Sequence, residues 1–201
     1  MSDEVVDQGK RRFLTAATTG VGVVGVGFAM APFVMSMMPS ARAKAAGAPV
    51  EVDISRLEPG QLQTVEWRGK PVWILRRNPE MLKTLPEVDK QLADPASKVV
   101  DQQPVYAQNP TRSIKPEVLV VVGICTHLGC SPVKKLEAGA DAILGHDWSG
   151  GFFCPCHGSK FDLAGRVYKN VPAPTNLVVP PHSYLSDTRI MLGVDPKKGA
   201  A

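Results

Sequence analysis

Cysteine is scarce in this chain, and most of the chain has none. The 201 residues include 4 cysteines, and every one of them lies between positions 125 and 156. Of the 4 histidines, His127 and His157 lie in or beside the same window. Four clustered cysteines permit three pairings if all are bridged, and such clustering can equally indicate a metal site.

No part of the chain concentrates basic charge. The net charge is +4 and the 23 lysines and arginines are scattered, so we predict no nucleic-acid partner. Hydrophobic residues make up 44% and charged residues 21%, which excludes a disordered chain. Glycine and proline number 18 each, and this favours a turn-rich, mostly β fold over a helical bundle.

Charged residues are also missing from the run 13–41. As a helix this run would be about 43 Å long, and a bilayer core needs about 30 Å. We therefore predict a transmembrane anchor over residues 13–38. Basic residues precede this anchor and predict that the tail, residues 1–12, is cytoplasmic. They are Lys10, Arg11 and Arg12.

The start of the chain also resembles a twin-arginine export signal. The stretch GKRRFLT, residues 9–15, has the pattern of such a signal, although Lys10 stands where its first arginine belongs. Residues 39–45, PSARAKA, offer small residues to a signal peptidase, but we predict that the anchor is retained. Residues 39–49 have no hydrophobic period and are predicted to form a flexible tether.

Beyond the tether, residues 50–201 have the pattern of a β domain. Residues 78–95 predict a short helix with loops. Two apolar strands, PEVLVVVGI and GGFF, run directly into Cys125 and Cys154. β-Branched and aromatic residues between turns predict further antiparallel strands. These are residues 50–55, 64–77 and 189–194.

Two ligand-rich turns follow the strands that lead into the cysteines. The first is CTHLGC, residues 125–130, and the second is CPCHGS, residues 154–159. Each turn supplies a cysteine and a histidine at close spacing, and each has one further cysteine. This pair of motifs resembles the Rieske iron–sulfur proteins, specifically the anchored subunits of bacterial ubiquinol–cytochrome c reductase. The resemblance covers nearly the whole chain, from the export-like start to both motifs.

The resemblance implies a fold, a cofactor and a set of ligands. The expected fold is mostly β: an antiparallel β-sandwich head with a smaller cluster-binding subdomain at about residues 118–180, after one N-terminal transmembrane helix. The expected cofactor is one 2Fe-2S cluster, in which two histidines replace two cysteines on one iron. A disulfide is expected in an oxidising periplasm. The implied assignments are one iron on Cys125 and Cys154, the other on His127 and His157, and a bridge between Cys130 and Cys156.

The resemblance also implies residues that tune the cluster. Gly129 and Gly158 allow the backbone to curl around sulfide, and Ser159 would donate a hydrogen bond to a sulfide and favour the reduced state. Many family members have tyrosine where this chain has Phe161, so we predict a lower potential here. Leu128 either borders the quinone pocket or simply packs. A loop that covers the cluster is expected at Pro172, Ala173 and Pro174.

The implied function is electron transfer in a respiratory cytochrome bc complex. The cluster would oxidise quinol by one electron with proton release, and the head would swing on its tether to reduce a c-type cytochrome. His157 is the expected main contact with quinol, with His127 beside it. Expected partners are cytochrome b and c-type cytochrome subunits, in a dimeric complex, and membrane lipid. The expected place is the bacterial inner membrane, with the head in the periplasm.

Other interpretations explain less of the pattern. The small subunit of a periplasmic arsenite oxidase has similar motifs, and a membrane-tethered structural module could use two cysteines and two histidines for zinc. A framework of disulfides alone leaves the histidines unexplained, and the further cysteines could instead be free thiols. Outside the motifs, we predict that His146 and His182 are surface or turn residues. Tryptophans are predicted to pack in the core, at Trp67, Trp73 and Trp148.

Overall fold

The computed structural model describes residues 7–196. The first part of the predicted cytoplasmic tail, residues 1–6, and the end of the predicted head, residues 197–201, lie outside this range. The chain forms two compact units, which divide between Ala45 and Ala46.

The first unit is dominated by one long helix, α1 (Gln8–Ser36). Its 29 residues are long and apolar enough to cross a membrane, with a mean hydropathy of 1.7 in an 18-residue window. The side chain of Asp7 caps the helix by accepting hydrogen bonds from the backbone N–H groups of Gly9 and Lys10. Within the predicted tether, Ala41–Ala46 form a short helix, α2.

The second unit, called the head below, is described as far as residue 196 and is built from antiparallel strands, the α-helix α3 (Pro79–Glu87) and short 3-10 helices at Asp89–Gln91, Val100–Gln102 and Val105–Ala107. Its strands form three three-stranded sheets and one two-stranded sheet, in the orders β1-β11-β10, β2-β3-β4, β5-β8-β9 and β6-β7. The predicted mostly β, antiparallel fold after an apolar helix is confirmed. The strands are β1 (Val50–Asp53), β2 (Leu62–Trp67), β3 (Lys70–Arg76), β4 (Val118–Val122), β5 (Val133–Lys135), β6 (Gly139–Asp141), β7 (Gly145–Trp148), β8 (Gly151–Cys154), β9 (Ser159–Phe161), β10 (His182–Ser186) and β11 (Arg189–Leu192).

Alternate residues of β3 face two different cores. Val72 and Ile74 pack with residues of β1 and β11, whereas Trp73 and Leu75 pack with residues of β8 and β9. All residues of β4 are buried and they alternate between the same two cores. The sheet β2-β3-β4, called the base sheet below, therefore has apolar contacts on both faces, which explains the continuous apolar run in its sequence.

Close packing joins the base sheet to the sheet β5-β8-β9, called the cluster sheet below. The rings of Trp73 and Phe152 stack with their centroids 4.9 Å apart. A Cβ atom at Gly123 would overlap the Trp73 indole, so glycine is required just after β4. This contact sets the path of the chain as it approaches Cys125.

The prediction for His182 is wrong. His182 is only 1% exposed at the start of β10, where it pairs with Leu192 of β11. Its Nδ1 lies 2.9 Å from the carbonyl oxygen of Pro180, and burial lowers the pKa of the ring. By contrast, His146 is exposed, on strand β7. The core prediction is confirmed for Trp67, Trp73 and Trp148, all of which are buried.

Candidate metal centre

Two loops bring the sulfur and imidazole groups together. The first loop (Cys125–Cys130) follows β4 of the base sheet, and the second loop (Cys154–Ser159) joins β8 to β9 of the cluster sheet. A disulfide between Cys130 and Cys156 joins the loops covalently. Each loop thus has one cysteine in the bridge and one that remains free.

The free cysteines, Cys125 and Cys154, are buried, with 3% and 2% of their surface exposed. Burial raises the pKa of the Cys125 thiol, the backbone N–H of His127 opposes this, and a hydrogen bond with the Cys154 thiol raises the pKa further. Two adjacent buried thiols are a donor set that fits iron.

A different triplet of sulfur atoms is also compact but does not make a ligand set. The sulfur atoms of Cys130, Cys154 and Cys156 lie within 4.8 Å of one another. Cys130 and Cys156 are bonded to each other, so neither offers a thiolate. The sulfur donors available to a metal are therefore Cys125 and Cys154.

The two imidazole rings lie beside each other. The centroids of His127 and His157 are 4.8 Å apart and their planes meet at 88°. His157 is exposed and His127 is half-buried, whereas the free thiols are buried. The sulfur donors are therefore more deeply buried than the nitrogen donors, and the set of two cysteines and two histidines matches that of a Rieske centre.

Glycine makes the same turn possible in both loops. Gly129 and Gly158 have φ angles of +83° and +80°, a region that other residues rarely adopt. The backbone N–H of Gly129 donates to the Cys125 carbonyl at 3.1 Å, and that of Gly158 donates to the Cys154 carbonyl at 2.9 Å. Each hydrogen bond closes a turn that places the histidine beyond the cysteine.

A third segment, residues 172–175, contacts both loops and is called the covering segment below, after its predicted role. Ala173 is buried between the exposed Pro172 and Pro174, and its N–H donates to Ser159 Oγ at 3.0 Å. The Ser159 hydroxyl also lowers the pKa of the Cys125 thiol, because a hydroxyl that donates toward the sulfur favours the thiolate. The hydrogen bond from Ser159 to a cluster sulfide stays a prediction.

The remaining predicted residues differ in burial. Phe161 is fully buried in the core of the cluster sheet, directly across from Phe152. Leu128 is 71% exposed, so it does not pack inside the head. Sequence analysis missed Thr126, whose hydroxyl donates to the Thr175 carbonyl at 2.7 Å and ties the first loop to the covering segment.

Sequence analysis also missed three buried arginines that hold the segment after β9. Arg77 donates to the Leu163 carbonyl at 3.1 Å, and Arg112 donates to the Ala164 carbonyl at 3.3 Å. Arg166 forms an ion pair with Asp162, and both side chains are buried. Burial lowers the pKa of Arg77 to about 10, and the carboxylate of Asp162 opposes this. Arg77 and Arg112 have no local sequence pattern, because these backbone partners lie 86 and 52 residues further along the chain.

Comparison with known families defines the class of the protein. Residues 49–181 match the Rieske 2Fe-2S domain, and residues 1–40 match the family described as "Ubiquitinol-cytochrome C reductase Fe-S subunit TAT signal". The head is therefore a Rieske iron–sulfur domain, and its cofactor is a 2Fe-2S cluster. The export-signal match and the apolar helix α1 fit a membrane-anchored subunit.

Individual relatives narrow the class. The ubiquinol-cytochrome c reductase iron-sulfur subunit of Allochromatium vinosum is 65% identical over 195 residues, 97% of this chain and 93% of that protein. The subunit of the same name from Blastochloris viridis is 43% identical over 194 residues, 96% of this chain and 97% of that protein. The chain belongs to this family of iron–sulfur subunits, as the sequence motifs predicted. A solved chain titled "Hyperthermophilic respiratory Complex III" is 26% identical, with a TM-score of 0.46, and the alignment covers 88% of this chain and 98% of that chain.

Proposed function

We propose that this chain is the electron-transfer subunit of a cytochrome bc complex, taking one electron from quinol and passing it to a c-type cytochrome. The observation that supports this best is the pair of imidazole rings, His127 and His157, 4.8 Å apart on the exposed side of two buried thiols. We assign Cys125 and Cys154 to one iron and the two histidines to the other. When bound, the cluster supplies a one-electron acceptor at roughly −150 to +300 mV, against about −400 mV for all-cysteine plant-type clusters.

The exposure of the two rings assigns different roles to them. His157 is exposed and His127 is half-buried, so a quinol hydroxyl that arrives from solvent reaches His157 first. The ring nitrogen that is not bound to iron accepts a hydrogen bond from that hydroxyl and holds its proton. His127 lies at the edge of the same contact, and the exposed Leu128 offers an apolar surface beside it.

Replacement of His157 by cysteine tests both the ligand assignment and the quinol contact. A thiolate lowers the cluster potential, and each 59 mV changes a one-electron equilibrium tenfold, so quinol oxidation should fall by more than about 100-fold. The matched control is His146→Cys, which also places a cysteine at an exposed histidine but lies outside the two loops. Steady-state quinol–cytochrome c reductase activity of the intact complex is the measurement. An unchanged rate in the His157 variant would refute the assignment.

We propose further that the head lies in the periplasm and the N-terminus in the cytoplasm. The basic residues before the apolar helix support this orientation, and the disulfide supports an oxidising compartment. The proposed partners are cytochrome b and c-type cytochrome subunits in a dimeric complex, with membrane lipid around α1. Purification of the complex from membranes and identification of its subunits tests these partners, and a preparation without b-type haem would exclude them.

We also infer that the head moves on the tether between its two partners. The tether is short and joins two separate compact units of the chain. Insertion of residues within 41–48 should slow turnover and leave the midpoint potential of the cluster unchanged. Turnover that does not respond to tether length would count against a moving head.

A further inference from the structure

One indole ring holds the chain at the point where the tether reaches the head. Trp67, the last residue of β2, is 7% exposed, and its Nε1–H donates to the Ala48 carbonyl at 3.2 Å. Ala48 lies two residues before β1, which begins at Val50. The side chain of Trp67 therefore contacts the chain before the first strand of the head begins.

The ring has little freedom to turn away from Ala48. A Cβ atom at Gly193, where φ is +87°, would lie 2.9 to 3.1 Å from three atoms of the indole, so only glycine fits beneath it. The Arg68 guanidinium lies 4.5 Å from the centroid of the ring. Trp67 also belongs to the core that contains Leu192 of β11. These contacts within the head therefore fix the direction of the indole N–H independently of its bond to Ala48.

The hydrogen bonds between β1 and β11 do not hold Ala48. Pro49 has no backbone N–H, and the pairing of β1 with β11 begins with Val50 opposite Leu192. Among the hydrogen bonds of the described residues 7–196, the indole bond is the one that holds residues 47–49. Without it, the first fixed residue of the head would be Val50.

We propose that Trp67 is a positioning residue that sets where the tether ends on the head. This rests on the proposed function, because a tether length matters only if the head moves. With Ala48 held, the segment between α1 and the held residue is residues 37–47, which includes α2. With α2 intact, its maximum reach is about 26–27 Å, at ~1.5 Å per helical residue and ~3.3–3.6 Å per other residue. Release of Ala48 adds about 7 Å of reach and lets the chain leave the head in a wider range of directions.

Hydrogen exchange in the full-length subunit tests the contact itself. Trp67→Phe keeps an aromatic ring in the core and removes the indole N–H together with part of the fused ring, a change that the control below reproduces. Loss of this hydrogen bond should loosen the start of β1, so that the amides of residues 50–52 exchange about five- to tenfold faster. The matched control is Trp148→Phe, because the Trp148 indole makes a similar bond to the Lys135 carbonyl at 2.8 Å, far from the tether in sequence. Exchange in Trp67→Phe equal to that in the control would overturn the proposal.

The orientation of the head in membranes tests the positioning role. Electron paramagnetic resonance of the reduced cluster in oriented membrane layers reports the spread of head orientations in the intact complex. Trp67→Phe should widen this spread and leave the midpoint potential unchanged, whereas Trp148→Phe should change neither. Faster exchange without a wider spread would overturn the proposal. If the unmodified complex failed to oxidise quinol, the proposed function would fall, but the exchange result would still stand.

Discussion

The first loop leaves β4 of the base sheet, whereas the second loop is the turn between β8 and β9 of the cluster sheet. Both loops bury the first cysteine and place glycine at positive φ. They differ in how they are held. The second loop is fixed at both ends by neighbouring strands of one sheet, as Cys154 pairs with Ser159. The first loop instead connects strands of two different sheets, β4 of the base sheet and β5 of the cluster sheet, and it directly adjoins neither of them.

The first loop is held instead by several separate contacts. The N–H of Cys125 donates to the Cys130 carbonyl at 2.7 Å, and the Ser131 hydroxyl donates to the Gly123 carbonyl at 3.2 Å. Thr126 ties the loop to the covering segment. The disulfide then joins the loop to the second one. Half of the ligand set therefore depends on contacts outside any sheet, and substitutions in the two loops should have unequal effects.

Loss of the disulfide should have the largest effect, which is on the iron content of the protein. Cys130→Ser removes the covalent link between loops from different sheets, and loss of a native disulfide costs about 2–5 kcal/mol. We expect the iron content of the purified protein to fall about tenfold or more, as in other cases where residues supporting metal ligands are lost. Iron and acid-labile sulfide per chain are the measurements, with Ser131→Ala as the control for a single lost hydrogen bond in this region. Full iron content in Cys130→Ser would mean that the first loop holds its ligands without the bridge.

Ser159 should have the next largest effect, on the cluster potential rather than on cluster content. Its hydroxyl lowers the pKa of the Cys125 thiol in the other loop, and a donor near that sulfur stabilises the more negative reduced state. A hydrogen bond to a charged group contributes ~1.5–3 kcal/mol, or roughly 60–130 mV for one electron. Ser159→Ala should lower the midpoint by this amount in a redox titration, and Ser131→Ala should not change it. An equal shift of the midpoint potential in both variants would show that it is caused by the loss of a hydroxyl anywhere in this region and not by the loss of the Ser159 donor.

A smaller shift of opposite sign is expected from Phe161→Tyr. Phe161 is fully buried in β9, just after the second loop, and its ring offers no donor. A new neutral hydrogen bond to a cluster sulfur contributes about 0.5–1.5 kcal/mol, so the midpoint should rise by roughly 20–65 mV. Redox titration of both proteins under the same conditions measures the change. No rise would mean that the added hydroxyl does not reach the sulfur.

The smallest effect is expected from Leu128→Ala in the first loop. Because Leu128 is 71% exposed, the free energy of unfolding should change by less than about 0.5 kcal/mol. The KM for quinol should rise about two- to fivefold, since part of the apolar contact beside His127 is lost. The control is Ile143→Ala, a truncation of an equally apolar side chain that is 67% exposed on another part of the head. A KM change of the same size in both variants would show that Leu128 has no special contact with quinol.

Local sequence patterns predicted the elements that depend on neighbours along the chain. The apolar strands that lead into Cys125 and Cys154 were recognised because they are continuous runs, and the turns were recognised because glycine follows each ligand pair. The long uncharged run predicted α1 for the same reason. The family resemblance then implied the bridge between Cys130 and Cys156, which local spacing alone had left open among several pairings.

Burial and long-range contacts were decided by the tertiary structure. His182 was predicted at the surface, yet its pairing with Leu192 turns it into the core, and that register depends on a strand that comes later in the chain. The contacts of Arg112 with the Ala164 carbonyl and of Trp67 with Ala48 likewise join distant segments. The sequence alone determined which donors are present and how each loop turns. Only the tertiary structure decided that the loops come from different sheets and which side chains hold them, because such contacts depend on how the sheets pack and not on residues adjacent in the chain.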